Sequence, residues 1–479
     1  SSTGEAPNEA PATDMSDMSK VGRVDPYLPS KSLSEFACFD ISDPANPVYL
    51  GSFGQDGYYT TSRLMDGILY LISGYSIYDF DSIQEGEPRT YVPTLYGTGS
   101  AKAMEAADIC ILPNPNALSY TVVSSFDVAA LARLDQKSIL GYTETTYMAY
   151  LGLYLAVSEY GEKEVDSWSH QQNPDRVTTF ESTTSTRLVK LSLDQGIIDL
   201  VAEATVPGTL LNQFSLDEFA GCLRLATTIS PSVYDIIDEG PLGKRTEWYS
   251  DTPTTNAVFV LGGNLQTLGS IEGLAADERI YSVRFDGKTG YVVTFRQTDP
   301  LFAIDLSDPS NPQVKDALKI PGFSSYLHVF GEGRLLGLGM AADENGRTHG
   351  MKLSMFDVSD PLDISEKHTL ELGDAYSEAL YNHKAIFVDV GLGYFGFPAH
   401  DGYTLYRYDD QTGFSLAGRL KLEADSAYYA YNLRGIRVGE CFYLCSSSGI
   451  GVFDLATLDA LAQVEFAADT TGAGPTRKL

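Results

Sequence analysis

From Leu33 onward, short apolar runs alternate with clusters of Gly, Asp, Asn and Pro. Runs of this length between such breakers predict strands and turns. One unit reads clearly between 280 and 320. IYSVRF (280–285) predicts a first strand, DGKTG (286–290) a tight turn, and YVVTFRQ (291–297) a second strand. PLFAIDLS (300–307) predicts a third, DPSNP (308–312) a corner, and QVKDALKI (313–320) a fourth. The same plan recurs in SYLHVF, RLLGLGM, KLSMFDVS and ISEKHTLEL, then in SEALYN, AIFVDV, GYTLYRYD and SLAGRLKL. It recurs again in YAYNLRGIRV, CFYLCS, GIGVFDL and LAQVEFA, and three times before residue 280. A lone third-and-fourth strand pair, EFACFDIS (35–42) and VYLGSF (48–53), precedes the seven complete units. Only GSAKAMEAADICIL (99–112) and VAALARL (128–134) predict helix, and both are short. Three insertions, 81–118, 160–182 and 231–255, read as long loops and hold both tryptophans, Trp168 and Trp248.

A four-strand unit repeated this often predicts an all-β β-propeller of four-stranded antiparallel blades: eight blades, with seven as the alternative. One blade has two apolar faces and cannot bury both alone; neighbours cover them. The lone pair at 35–53 then needs two inner strands, supplied by upstream sequence, or it serves as ring closure. Near copies of one corner mark the repeat: FDISDP from Phe39, AIDLSDP from Ala303 and FDVSDP from Phe356. Asp and Ser side chains bond backbone N–H groups two residues on, and Pro presets φ, so Asp-x-Ser-Asp-Pro predicts a turn rather than a metal loop. The domain reading is a polar leader at 1–32, poor in large apolar side chains, a propeller at 33–468, and a C-terminal tail at 469–479, with leader and tail expected to be disordered.

The stretch RIYSVRFDGKTGYVVTFRQTDPLFAIDLSDPSNPQVKDALKIPGFSSYLHVF resembles a secreted bacterial and archaeal β-propeller family described as distantly related to WD-repeat proteins. GRTHGMKLSMFDVSD, YSEALYNHKAIFVD and LLNQFSLDEFAGCLRLATT fit it too. The resemblance covers most of 34–467 and implies a propeller exported from the cytoplasm, secreted or tethered at the cell surface. It carries over no catalytic residue and no cofactor.

Sixty-four acids against 33 bases give a net charge of −31. That charge argues against nucleic acid and anionic membrane surfaces as partners. No apolar run is long enough for a membrane span, so direct membrane insertion is not expected. The five cysteines, Cys38, Cys110, Cys222, Cys441 and Cys445, are odd in number. Cys441 and Cys445 lie four residues apart on a predicted strand, roughly 13 Å, too far for a disulfide. Buried free thiols are the reading. No Cys/His spacing suits zinc, so no metal site and no cofactor is predicted, although a divalent cation held by single residues from several blades stays open.

Candidate chemistry comes from the innermost strands, whose side chains alternate toward the propeller channel. Aligned by the turns that follow them, these strands place Arg63, Tyr147, Gln213, Arg284, His328, Glu378 and Arg434 at similar heights. Three arginines in so acidic a protein suit a carboxylate or phosphate; the alternative is that they pair with acids of neighbouring blades and fasten the ring. GLGYFG (391–396) matches the glycine spacing of a dinucleotide loop, but a turn and another strand follow where a helix is required. DENG (343–346) reads as a type I′ hairpin turn, not a calcium loop. The expected function is an exported binding or scaffold module for a protein or carbohydrate at the loop face, with a small anionic ligand in the channel. A channel-centred hydrolase or lyase is the alternative.

Overall fold

The computed structural model describes residues 32–466, apart from breaks at 78–79, 98, 116, 151, 171–172, 240–242, 250–251, 296–298, 344, 374, 400–401 and 423–431. The predicted leader and tail fall, but for Ser32, outside the described residues. Among the described residues strands form eight sheets, and no helix is long and apolar enough to cross a membrane. The chain divides into two compact units. The first comprises 1–143, 192–200 and 479, and the second the remainder.

In the first unit, sheet 1 joins Leu33–Asp40, Val48–Asp56, Thr94–Gly97 and Ser100–Ala103 in that order. Sheet 2 joins Tyr58–Met65, Ile68–Ser76, Ser119–Asp127 and Ala132–Leu140, with Ile109–Cys110 added parallel to the last. The insertion at 81–118 is thus no simple loop. Its hairpin pairs with Val48–Asp56 through Gly54–Tyr96 and Gln55–Leu95. The fully buried Asp56 carboxylate accepts Thr94 N–H at 2.7 Å and the Tyr96 hydroxyl at 2.8 Å. Arg133 donates to the Gly54 and Tyr96 carbonyls and sits 4.5 Å from the Phe126 ring. The expected helices are absent: 99–112 holds strand, a short 3-10 turn and strand, and 128–134 a turn entering Ala132–Leu140. Their apolar residues are spent on the sheets instead, because packing overrides weak local propensity.

The second unit carries six sheets. Sheet 3 joins Thr145–Met148, Gly152–His170, Asn173–Asp194, Ser232–Asp238 and Lys244–Tyr249, with Ile197–Pro207 also on Asn173–Asp194. Two further predicted loops are therefore strand extensions. Sheet 4 joins Leu216–Phe219, Cys222–Ile229, Thr255–Leu261 and Thr267–Leu274. Sheet 5 joins Arg279–Asp286, Thr289–Phe295, Asp299–Asp305 and Gln313–Ile320. Sheet 6 joins Phe323–Val329, Arg334–Ala342, Thr348–Asp357 and Ser365–Glu371. Sheet 7 joins Phe387–Asp389, Tyr394–Ala399, Gly402–Asp409 and Gly413–Leu420. Sheet 8 joins Arg434–Val438, Cys441–Cys445, Gly449–Asp454 and Ala460–Glu465.

Apolar side chains of neighbouring sheets interleave. Tyr291, Val293 and Ala303 of sheet 5 meet Leu327, Leu335 and Phe356 of sheet 6. Leu338, Leu353 and Met355 of sheet 6 meet Phe395, Phe397 and Tyr406 of sheet 7. The third strand, like the second, is enclosed on both faces, with Ala303, Ile304, Leu353 and Met355 all 0% exposed. This is why that strand is written as an unbroken apolar run. The corners after it fold as read. Asp305 accepts Ser307 N–H, Asp308 accepts Ser310 N–H, and Asp357 accepts Ser359 N–H.

Smaller expectations divide. Gly393 takes φ 69° in the turn before Tyr394–Ala399, so GLGYFG is a hairpin. In DENG the Asp343 carboxylate accepts the N–H groups of Asn345 and Arg347. Gly346 has positive φ and Asn345 does not, so the turn is not type I′, which needs both. All five cysteines are free, as expected, but half-buried rather than buried.

Candidate functional site

Four sheets of the second unit bring their entry strands or turns to one cluster. On Arg279–Asp286, Val283 and Phe285 point into the core. Ser282 and Arg284 take the opposite side, by the strand's alternation. Both reach the first strand of sheet 6: Ser282 Oγ donates to the Ser324 carbonyl at 2.6 Å. Arg284 Nε and Nη2 donate to the Leu327 carbonyl at 2.8 and 2.5 Å. On that neighbouring strand Tyr326 and His328, again two residues apart, meet through the Tyr326 hydroxyl and His328 Nδ1 at 2.9 Å.

A turn ahead of sheet 4 completes one side. Gln213–Ser215 is a short 3-10 segment, not strand, and the Asn212 side chain accepts Phe214 N–H to fix it. The Phe214 ring lies 4.2 Å from the Arg284 guanidinium carbon and edge-on to His383 at 4.9 Å. The Tyr326 ring lies 5.5 Å from the same guanidinium. Gln213 Nε2 meets His383 Nε2 at 3.0 Å, linking the entries of sheets 4 and 7.

Glu378 corrects the sequence reading. SEALYN was expected as a first strand, but Glu378–Leu380 is a 3-10 turn and the first strand of sheet 7 is Phe387–Asp389. Ser377 accepts Ala379 N–H, and that local cap competes with extended pairing. The buried Glu378 carboxylate accepts Arg434 Nη2 at 2.7 Å and Nη1 at 3.2 Å. It also takes Asn432 N–H at 2.9 Å and Asn382 Nδ2 at 2.5 Å. Burial alone would push this carboxyl up, but Arg434 and the two other donors hold it below its ordinary value.

The remaining predicted residues lie apart from this cluster or outside the unit. Tyr147 faces sheet 4, where its hydroxyl accepts Glu218 N–H at 3.0 Å. Arg63 lies on Tyr58–Met65 of the first unit, exposed, with no ion pair among the described residues. Gln213, Arg284 and His328 are brought together, and Glu378 and Arg434 form a separate pair.

Phe214, Tyr326 and His383 were missed. Tyr326 was legible, since it shares its strand face with His328. Phe214 and His383 sit on turns, where no strand alternation points to them.

The electrostatics separate two of the arginines. Arg434 is bidentate to a carboxylate. Arg284 has aromatic rings and a carbonyl around it but no ion pair among the described residues. Asp217, the carboxylate that acts on it, is itself paired with Arg224. Burial lowers the Arg284 pKa from the ordinary arginine value. Burial, then the Arg284 charge, lowers His328 to about 4. Burial, then Lys384 and Arg284, lowers His383. At neutral pH the cluster is one cation between neutral imidazoles, an amide and two rings. Among the described residues no group of three His, Cys, Asp or Glu could hold a metal ion.

The chain is 39% identical over 269 residues to an uncharacterized protein of Archaeoglobus fulgidus, covering 56% of this chain and 37% of that one. It is 25% identical over 488 residues to the uncharacterized protein MJ1554 of Methanocaldococcus jannaschii, covering 91% of this chain and 73% of that one. The chain therefore spans little more than a third of the length of the Archaeoglobus relative. Among solved structures, apo AztD from Citrobacter koseri is 13% identical with a TM-score of 0.34, covering 72% of this chain and 91% of that one. The family model described as a beta propeller domain matches residues 3–458, and the chain belongs to that family.

Proposed function

We propose that the protein is an exported or surface-tethered binding module that holds a small anion, a carboxylate above all, at Arg284. The carrying observation is a half-buried guanidinium without an ion-pair partner among the described residues. A desolvated cation is costly unless paired. An arriving carboxylate would accept charge-assisted hydrogen bonds from those guanidinium N–H groups that the Leu327 carbonyl and the Tyr326 hydroxyl do not engage. His328, His383 and Gln213 offer neutral polar groups around the guanidinium, so they add hydrogen bonds without adding charge.

The test is thermal unfolding of wild type and Arg284→Met against a series of sodium carboxylates at constant ionic strength. Wild type should gain several degrees with at least one carboxylate, and Arg284→Met should gain none. Equal shifts in both proteins would defeat the proposal.

A second contact region has support of its own. Phe180, Tyr234 and Trp248 lie abreast on three neighbouring strands of sheet 3, at centroid spacings of 5.5 and 4.5 Å. Trp248 is 66% exposed and Trp168 50%. The exposed Trp248 ring, backed by the buried Tyr234, suits stacking on a sugar or packing against a protein partner.

A further inference from the structure

The insertion at 81–118 helps to enclose a cleft of about 440 Å³ within the first unit. Three segments line it: the hairpin through Leu95, Tyr96 and Ser100, Val48–Asp56 through Phe53, and Ala132–Leu140 through Arg133 and Gln136. Arg133 and Gln136 are three residues apart, which on a regular strand means opposite faces. A bulge at Leu134 returns them to one face, since Arg133 pairs with Phe126 and Gln136 with Ser124. The lining is held before any ligand arrives. Arg133 donates to Ser124 Oγ at 2.6 Å and to the Gly54 and Tyr96 carbonyls at 2.8 and 3.1 Å. Phe53 packs against Phe36 at 5.8 Å and Phe126 at 5.5 Å, and the Tyr96 hydroxyl is tied to Asp56.

The charges in this cleft balance: Lys102 and Arg133 against Glu105 and Asp108. Lys102 pairs with Glu105 at 2.5 Å, and Asp108 accepts Gln136 Nε2 at 2.6 Å and lies 3.6 Å from Lys137 Nζ. An anion would meet two carboxylates here, which the Arg284 cluster lacks, and a cation would meet Arg133 and Lys102. Hydrogen bonding is what remains open. Arg133 Nε–H is a donor, Gln136 Oε1 an acceptor and the Ser100 hydroxyl both, none with a partner among the described residues. We propose that the cleft binds a neutral sugar, a mono- or disaccharide in pyranose form. Each sugar hydroxyl donates and accepts, as that mixture of groups requires, and the apolar C–H face of the ring rests on Phe53 and Leu95. A wholly apolar ligand would instead bury the polar groups of Arg133 and Asp108 without replacing their water. The volume falls in the lower part of the range for small-molecule sites.

Titration of the intact protein with methyl glucoside, methyl galactoside, maltose and cellobiose, followed by ligand-observed NMR, tests this. Arg133 also ties the hairpin to sheet 2, so the variant of choice is Gln136→Leu, which removes an acceptor at nearly constant volume. Wild type should bind at least one of these sugars saturably, and Gln136→Leu should bind it about tenfold more weakly with an unchanged circular dichroism spectrum. Amide hydrogen exchange supplies a second readout, since the bound sugar should slow exchange in Thr94–Gly97 and Ser100–Ala103. Binding of none of the four sugars would overturn the proposal, and so would equal affinity in wild type and Gln136→Leu. Protection confined to Lys244–Tyr249, with binding lost in Trp248→Ala, would place the sugar on sheet 3 and overturn it as well. Displacement of the sugar by inorganic phosphate at constant ionic strength would mark the cleft as an anion site and count equally against it.

Discussion

Arg434 grips Glu378 through both guanidinium nitrogens, at 2.7 and 3.2 Å, and the carboxylate is only 5% exposed. This pair joins the turn before sheet 7 to the first strand of sheet 8 and leaves neither charge available to a ligand. Arg434→Met would strand a buried carboxylate and should cost about 3 kcal/mol. The sign follows from the lowered Glu378 pKa. The pair's stabilisation is complete above the ordinary glutamate range and is lost as pH falls through the folded-state value. Urea unfolding at pH 7 and pH 4 measures both effects, and the variant's deficit should shrink at the lower pH.

His328 titrates in the opposite chemical sense with the same direction in pH. Its folded-state pKa is about 4, against 6.5 ordinarily. Above about pH 6.5 it is neutral in both states and the native fold bears no penalty. Between pH 6.5 and 4 the unfolded chain takes a proton that the folded chain refuses, which removes up to about 3 kcal/mol. His328→Gln should flatten stability over that window while leaving it similar at pH 8. Chemical unfolding of the two proteins at half-unit pH steps provides the comparison.

The corner carboxylates make a smaller, local contribution. Asp357 accepts Ser359 N–H at 3.2 Å and Ser359 Oγ at 2.6 Å, and lies beside Arg334. Asp357→Ala should cost about 1 kcal/mol, and Asp357→Asn should restore much of it, since the amide oxygen still accepts. Adding calcium should change neither variant's melting temperature relative to wild type, because the role is a turn.

Gly339 marks a close approach of two strands. A Cβ placed there would lie 1.7 Å from the Phe323 carbonyl oxygen, on backbone that cannot swing aside. Gly339→Ala should therefore cost about 3 kcal/mol. Gly373→Ala is the control for a glycine with open space around it, where positive φ alone is at stake. Its cost should be about 1 kcal/mol. Denaturation midpoints rank the two.

The repeat was legible because burial on both faces of a third strand demands an unbroken apolar run, and the exit to the outer strand demands Asp, Ser and Pro. Those demands appear in Ala303 to Pro309 and in Phe356 to Pro361 and fix the unit. Strand extension at 160–182 and 231–255 was not legible. Strands such as Lys244–Tyr249 are exposed throughout and carry no alternation of burial. The hairpin Thr94–Gly97 and Ser100–Ala103 was hidden for a different reason. It is held by Asp56 and Arg133, each far from it in sequence. At the site, Arg284 and His328 were readable from strand period, but Phe214 and His383 enter from turns. That Arg434 is matched by Glu378 while Arg284 lacks such a partner is a fact of three-dimensional placement, and spacing alone does not contain it.

Calorimetric titration of the intact protein with small carboxylates at pH 7, paired with the same titration of Arg284→Met, addresses the central claim most directly. The account predicts saturable one-to-one binding by wild type that weakens at least tenfold in the variant, while both proteins show the same circular dichroism. No heat from any carboxylate in wild type, or binding that persists unchanged without the guanidinium, would contradict it.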